Sequence, residues 1–237
     1  MIRTLSIIIP VFNEEKTIYE LLNSVCSTKL IHGIQKQIIV VDDTSSDGSH
    51  RHIEEFIKDY NTHSICFIRH ATNCGKGAAV RSGLAIASGD FTIIQDADLE
   101  LAPSDYNLLL QEAIDHRAQV VFGSRFLKAQ LQAIPLKTCI ANKTLTILTR
   151  LVTGKQLTDM ETCYKLIRTD LFKSIELKEN RFGFEPEITV KLLRKREVRF
   201  KEVAITYHAR TTQQGKKIGV KDGIRAIYCL LKYRFFV

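Results

Sequence analysis

The apolar residues of this chain fall into short unbroken runs, separated by longer segments in which they recur every three or four positions. The runs at 5–11, 37–41, 65–68, 91–94 and 119–122 are rich in β-branched and aromatic residues and read as strands buried on both faces. Between them lie helical patterns. One follows Asn13-Glu14-Glu15 and carries Leu21, Leu22 and Val25; a second carries Ile53, Phe56 and Ile57; a third runs from Gly77 towards Gly89. Leu108, Leu109 and Ile114 follow Pro103, and Ile140, Leu145, Leu148 and Leu151 follow Pro135. A helix over 185–196 and a strand over 198–207 complete the pattern. Strand and helix alternate throughout, which predicts an α/β fold: a Rossmann-like, mostly parallel sheet flanked by helices.

No internal repeat and no Pro/Gly/Ser linker divides the chain, so a single domain is expected over 1–220, followed by an amphipathic helix over 221–237. In that last segment Ile224, Ile227, Tyr228, Leu231 and Phe235 share helical spacing, with Lys221, Arg225 and Lys232 elsewhere around the helix. Such a helix either lies on a membrane surface or packs on the core with a solvated basic face. The aromatic and basic ending Lys232-Tyr233-Arg234-Phe235-Phe236 favours the membrane.

Composition adds two constraints. With 237 residues, 45% of them hydrophobic and 25% charged, the chain has the material for a sizeable core. The net charge of +8 is concentrated late: residues 201–237 hold Lys201, Arg210, Lys216, Lys217, Lys221, Arg225, Lys232 and Arg234 against Glu202 and Asp222. That excess suits phosphates, whether on a nucleotide, a nucleic acid or an anionic membrane. No aromatic-basic recognition motif accompanies it, so no nucleic-acid partner is expected. The six cysteines are scattered without zinc-site spacing, no leader is legible and no segment is long enough to span a bilayer. A cytoplasmic protein attached peripherally to the cytosolic membrane face is the expectation.

Chemistry gathers where the runs stop. Residues 91–94 end in Gln95-Asp96-Ala97-Asp98-Leu99-Glu100, and two carboxylates at a strand end can hold a divalent cation that neutralises a diphosphate. Other strand ends deliver Pro10 to Glu14, Asp42-Asp43 and Arg125. Taken singly, these have ordinary structural readings as a helix start, caps and a surface ion pair. Asn73-Cys74-Gly75-Lys76-Gly77 lacks the Walker pattern, which excludes a phosphate-loop NTPase, and His50-x-His52 reads as solvated surface.

Together, Ile8-Ile9-Pro10-Val11-Phe12-Asn13-Glu14, Val40-Val41-Asp42-Asp43-Thr44-Ser45-Ser46-Asp47-Gly48, Asn73-Cys74-Gly75-Lys76-Gly77, Asp96-Ala97-Asp98-Leu99 and Gly123-Ser124-Arg125 resemble a family-2 glycosyltransferase of the GT-A fold. The resemblance points to the branch of dolichyl-phosphate mannose synthase and related polyprenyl-phosphate glycosyltransferases. It implies that Pro10, Phe12, Glu14, Val41 and Asp43 hold the base and ribose of a donor nucleotide. It also implies that Asp96, Ala97 and Asp98 form the nucleotide-sugar and metal site for Mg2+ or Mn2+. Asp98 is then the most direct ligand, and Glu100, where the family commonly has Gln, adds an oxygen. Arg125 would face the acceptor and donor phosphates, with Lys137 as a second cation. Arg210 and Lys216 would match a late basic pair on a loop that closes over the diphosphate.

The implied reaction is inverting, metal-dependent transfer of a hexose, mannose or glucose, from a nucleotide sugar to polyprenyl phosphate, aided by a membrane-embedded partner subunit. A phosphate acceptor is already anionic and needs no base. A hydroxyl acceptor would need one, with Asp159, Glu161 and Glu185 as candidates. A catalytically silent nucleotide-sugar-binding subunit is the remaining alternative.

Overall fold

A computed structural model describes residues 2–60, 65–127, 136–209 and 220–236. The strands are β1 (Thr4–Val11), β2 (Gln35–Asp42), β3 (Ile65–Arg69), β4 (Phe91–Ile94), β5 (Val120–Ser124), β6 (Lys165–Arg168) and β7 (Phe200–Ala204). Helices α1 (Ile18–Ser27), α2 (Ser49–Tyr60), α3 (Lys76–Ile86), α4 (Tyr106–Asp115), α5 (Leu136–Thr153), α6 (Thr169–Lys173), α7 (Phe184–Leu193) and α8 (Val220–Phe235) connect or flank them. Each expected run is a strand, though the one over 198–207 is shorter than expected and Tyr207 makes only an isolated bridge to Leu101.

The seven strands form one sheet in the order β3-β2-β1-β4-β6-β5-β7. β1 pairs in parallel with β2 and β4, β2 with β3, and β5 with β7. The core runs through β1, where Leu5, Ile7, Ile8 and Ile9 are fully buried, as strands covered on both faces require. Pro10 is tolerated because of where β4 stops. The β1–β4 register ends at Ile8 opposite Ile94, so Pro10, two residues on and facing the same neighbour, lacks its N–H where no strand needs it. Strand order reverses at β1, and the carboxyl ends of β1, β2 and β4 meet at that switch point.

One strand departs from the expected pattern. β6 runs antiparallel to both β4 and β5, inserted between them. It has only four residues, too few for an alternating pattern to show in the sequence.

Helix α5 buries polar residues alongside Leu145 and leaves part of its apolar set outside. Its buried residues include Asn142, Thr146 and Thr149, whereas Ile140, Ile147 and Leu151 are 56%, 55% and 76% exposed. Helix α8 packs along α5 and α7. It buries Ala226, Cys229, Leu230 and Tyr233, while Ile224, Ile227, Tyr228, Leu231 and Phe235 face outward. The apolar face read from the sequence is therefore the outer one, and a second face packs on the core. No helix among the described residues is long and apolar enough to cross a membrane.

Glu179, on the loop before α7, fixes α8. Its carboxylate accepts from Arg225 Nη2 at 2.7 Å, Tyr233 Oη at 2.8 Å and Lys232 Nζ at 3.2 Å. Burial pushes this carboxyl up, but the bonds from Arg225, Tyr233 and Lys232 outweigh burial and bring it down to about 2. A depressed carboxyl contributes stability that is present above its ordinary value and lost as pH falls towards its folded value. Glu179→Gln is therefore expected to lower the melting temperature at pH 7 by about 3 °C or more. Thermal melts should show that the gap from the wild type closes as pH falls from 4.5 towards 2.

Candidate active site

A cleft of about 420 Å³ opens at the switch point, lined among others by Pro10, Phe12, Glu14, Asp43, Asp96, Ala97, Asp98, Glu100 and Arg125. The four groups of strand-end residues singled out in the sequence thus share one site. Val41 is the exception: it is fully buried in the sheet beside Pro10 and does not line the cleft. Arg210, Lys216 and the Lys137 side chain lie outside the described residues.

The turns after β1 and β2 are stapled together. Asn13, at φ 54°, accepts from Ser46 N at 2.8 Å through its side chain, and its own amide donates to Ser45 Oγ at 3.0 Å. The Glu14 amide donates to Ser49 Oγ at 2.8 Å.

Asp43 is the acceptor for a whole loop. Its two oxygens take Gly75 N at 2.6 Å, Cys74 N at 2.9 Å, Asn73 Nδ2 at 2.9 Å and His70 Nδ1 at 2.7 Å. The other His70 nitrogen meets Ser82 Oγ at 2.8 Å. Four bonds fill the carboxylate's usual capacity, so Asp43 shapes the wall through the 73–75 backbone. Gly75 is required in that loop: it has φ 93°, and a Cβ there would sit 2.5 Å from the Asn180 carbonyl oxygen.

Gly75 also places Lys76, the first residue of α3, in the cleft. Lys76 Nζ lies 2.8 Å from Asp96 Oδ1 and 3.1 Å from Glu185 Oε1. The other Glu185 oxygen accepts from Lys165 Nζ at 2.6 Å, and fully buried Lys165 also donates to the carbonyls of Met160 and Thr162. The result is a line of alternating charge, Asp96, Lys76, Glu185 and Lys165. Burial pushes the Asp96 carboxyl up, but the Lys76 ammonium outweighs it and holds the group below its ordinary value. Burial works against the Lys76 charge too, and Asp96 with its neighbours drives the group well above the usual lysine range.

On the opposite wall Arg125 is forked onto Asp159, with Nε to Oδ2 at 2.7 Å and Nη2 to Oδ1 at 2.8 Å. Asn142 of α5 adds a bond to Asp159 Oδ1 at 2.9 Å. Burial pushes the Asp159 carboxyl up, but Arg125 keeps it below the usual carboxylate range. The Arg125 guanidinium also lies over the Tyr207 ring at 5.1 Å, and Tyr207 donates to Glu100 Oε2 at 3.0 Å.

The acids suit a hard cation, but not as a three-carboxylate cage. Among the described residues, three ligand atoms converge within 4.8 Å only at Asp43, His70 and Cys74, where the carboxylate is already filled. Asp96 is held by Lys76. Asp98 and Glu100 line the cleft beside it, and one or two carboxylates plus substrate phosphate oxygens is how Mg2+ is commonly held.

Arg181, Phe182, Cys163 and Tyr207 also line the cleft, and none of them belongs to a strand-end motif of the sequence. Arg181 is exposed and pairs with no carboxylate among the described residues. The loop that presents it is tied by Glu187, which accepts from Lys178 N at 2.9 Å and Glu179 N at 2.8 Å. Sequence distance hides this approach, since the loop meets α3 about a hundred residues away: Ala78 N donates to the Asn180 carbonyl at 3.2 Å and Arg81 Nη1 to the Glu179 carbonyl at 2.9 Å.

Residues 6–176 match the model of glycosyl transferase family 2. The chain is 28% identical over 233 residues to a dolichol-phosphate mannosyltransferase of Pyrococcus furiosus, covering 96% of this chain and 64% of that one. It is 26% identical over 234 residues to a dodecaprenyl-phosphate galacturonate synthase of Rhizobium johnstonii, covering 98% and 67%. The chain thus spans about two thirds of the length of these relatives. Its fold is similar to that of glucosyl-3-phosphoglycerate synthase from Mycobacterium tuberculosis, solved with Mn2+, UDP and phosphoglyceric acid. The TM-score is 0.72 at 19% identity, over 99% of this chain and 80% of that one.

The Arg125–Asp159 pair gives a direct test of the cleft wall. Arg125→Ala leaves a buried carboxylate uncompensated and is expected to cost about 3–5 kcal/mol in denaturant unfolding. Replacing both partners, Arg125→Met with Asp159→Leu, should return most of that stability while leaving ligand binding impaired.

Proposed function

The chain belongs to glycosyl transferase family 2, and we propose that it transfers a hexose from a nucleotide sugar to a polyprenyl phosphate at a membrane surface. The observation that carries this reading is the double role of α5. Its inner face supplies Asn142 to the Arg125–Asp159 pair at the cleft, and its outer face offers Ile140, Ile147 and Leu151. Helix α8 packs on it with a second outward apolar row. A lipid-borne acceptor whose phosphate must reach Arg125 while its chain stays in the bilayer needs both features in one place. The relatives that act on dolichol and dodecaprenyl phosphates support the same acceptor class.

In this reading an acceptor phosphate oxygen attacks the anomeric carbon, the sugar–phosphate bond breaks, and configuration inverts as the nucleoside diphosphate leaves. Arg125 binds Asp159 through Nε and Nη2, and in this reading its remaining donor capacity serves phosphate. Asp98 and Glu100 would hold Mg2+ or Mn2+, which supplies positive charge to the departing diphosphate. Pro10, Phe12 and Glu14 line the end of the cleft assigned to the nucleoside. Mannose and glucose are the hexoses considered, from GDP or UDP.

A phosphate acceptor also suits the acids present. Asp159 is forked onto Arg125, which keeps it below the usual carboxylate range, and both Glu185 oxygens are engaged by Lys76 and Lys165. A hydroxyl acceptor would have to rely on Glu161 as its base.

Attachment to the cytosolic membrane face by α5 and α8, with help from a membrane-embedded subunit, follows from the same reading. Ile147→Glu with Leu231→Glu should abolish cosedimentation with anionic vesicles and lower turnover on vesicle-borne polyprenyl phosphate about tenfold or more. Donor binding should not change. Asp98→Ala should leave vesicle binding intact and reduce transfer about a hundredfold or more. Wild-type turnover in either variant would contradict the role assigned to it.

A further inference from the structure

Glu161 sits two residues beyond Asp159 on the loop leading into β6, and it lines the cleft. Its Oε1 is enclosed by protein and has no hydrogen-bond partner among the described residues. Leaving a buried polar atom unpaired is costly, and native structures satisfy nearly all such atoms. A ligand in the cleft is the partner that the site itself supplies.

The groups around Glu161 decide its chemical form. Burial raises its carboxyl, the Glu185 carboxylate raises it further, and Asp159 adds to that, against the opposing pull of Lys165 and Arg125. Together they bring it up to about 7. Near neutral pH a large share of the group is therefore the uncharged acid, with one O–H to donate and oxygens to accept. A phosphate or a metal would call for a different partner, since a cation or a full carboxylate serves those ligands better. A sugar hydroxyl, which both donates and accepts, matches a neutral carboxyl at both atoms.

We propose that Glu161 is the residue that recognises a hydroxyl of the donor hexose, held in the cleft between the acids at 98 and 100 and the Arg125 wall. This rests on the reading of the cleft as a nucleotide-sugar site, and it adds a specificity-determining contact that no strand-end motif contains. Glu161 donates to or accepts from the sugar and transfers no proton to it, so no bond is made or broken at this residue.

The assignment separates cleanly from a general-base role and from a structural one. Gln keeps both a donor and an acceptor in nearly the same shape but cannot take up a proton; Ala keeps neither. Titration calorimetry would compare UDP-glucose and GDP-mannose with UDP and GDP on the wild type, Glu161→Gln and Glu161→Ala, each checked for an unchanged melting transition. Glu161→Ala is expected to weaken the preferred nucleotide sugar about tenfold or more while binding the matching nucleoside diphosphate like the wild type. Glu161→Gln should stay within about threefold of the wild type in sugar-nucleotide affinity and in turnover.

Equal loss of nucleotide and nucleotide sugar in Glu161→Ala would overturn the proposal, as would no loss of either. So would a Gln variant that binds donor normally and is inactive, since that is the signature of a base. A wild type that binds no nucleotide sugar overturns the parent reading along with it. Donor binding with the expected pattern, but no transfer to polyprenyl phosphate, leaves Glu161 assigned and removes only the acceptor.

Discussion

The site depends on a line of four alternating charges that runs from the cleft wall into the core: Asp96, Lys76, Glu185 and Lys165. They come from the end of β4, the start of α3, α7 and β6, so their pairing ties four elements that are far apart in the chain. Fully buried Lys165 is affordable only because Glu185 and two carbonyls surround it. Removing any one member would strand its neighbour's charge in a low-dielectric interior. The same line uses up cations and acids that the sequence alone would leave available for catalysis. A ligand in the cleft would meet Asp98, Glu100, Arg125, Arg181 and a Glu161 oxygen that has no hydrogen-bond partner among the described residues.

The second organising constraint is the loop from Lys178 to Gly183. Glu187 ties its start, Glu179 holds α8, and the residues that follow put Arg181 and Phe182 into the cleft. The outward-facing helix α8 and the cleft are therefore joined through a few residues of one segment. Gly75 allows that closeness, because a side chain there would strike the Asn180 carbonyl.

Much of this was legible in the sequence, and the reason is local. Buried parallel strands are continuous apolar runs, so the polar residues that end them stand out, and Pro10, Glu14, Asp43, Asp96, Asp98 and Arg125 do meet at one edge. Features set by distant packing were not legible. β6 has four residues and is antiparallel because it fills the gap between β4 and β5, which no local periodicity encodes. In α5 the apolar spacing was visible, but not that Asn142, Thr146 and Thr149 would be the buried face, since tertiary hydrogen bonds to Asp159 and Met160 decide it. The family resemblance implies a donor contact at Val41, and the structure places this residue fully buried within the sheet beside Pro10. The sequence around Lys76 lacks a Walker pattern, but its bond to Asp96 needed coordinates.

The most direct test of the whole account is transfer of radiolabelled hexose from GDP-mannose and from UDP-glucose to polyprenyl phosphate in detergent, with and without EDTA. The account predicts label in the lipid phase from one of the two donors, lost on chelation and restored by Mg2+ or Mn2+. Label that appears only as free sugar, or that moves to a hydroxyl acceptor while polyprenyl phosphate stays unlabelled, would contradict it.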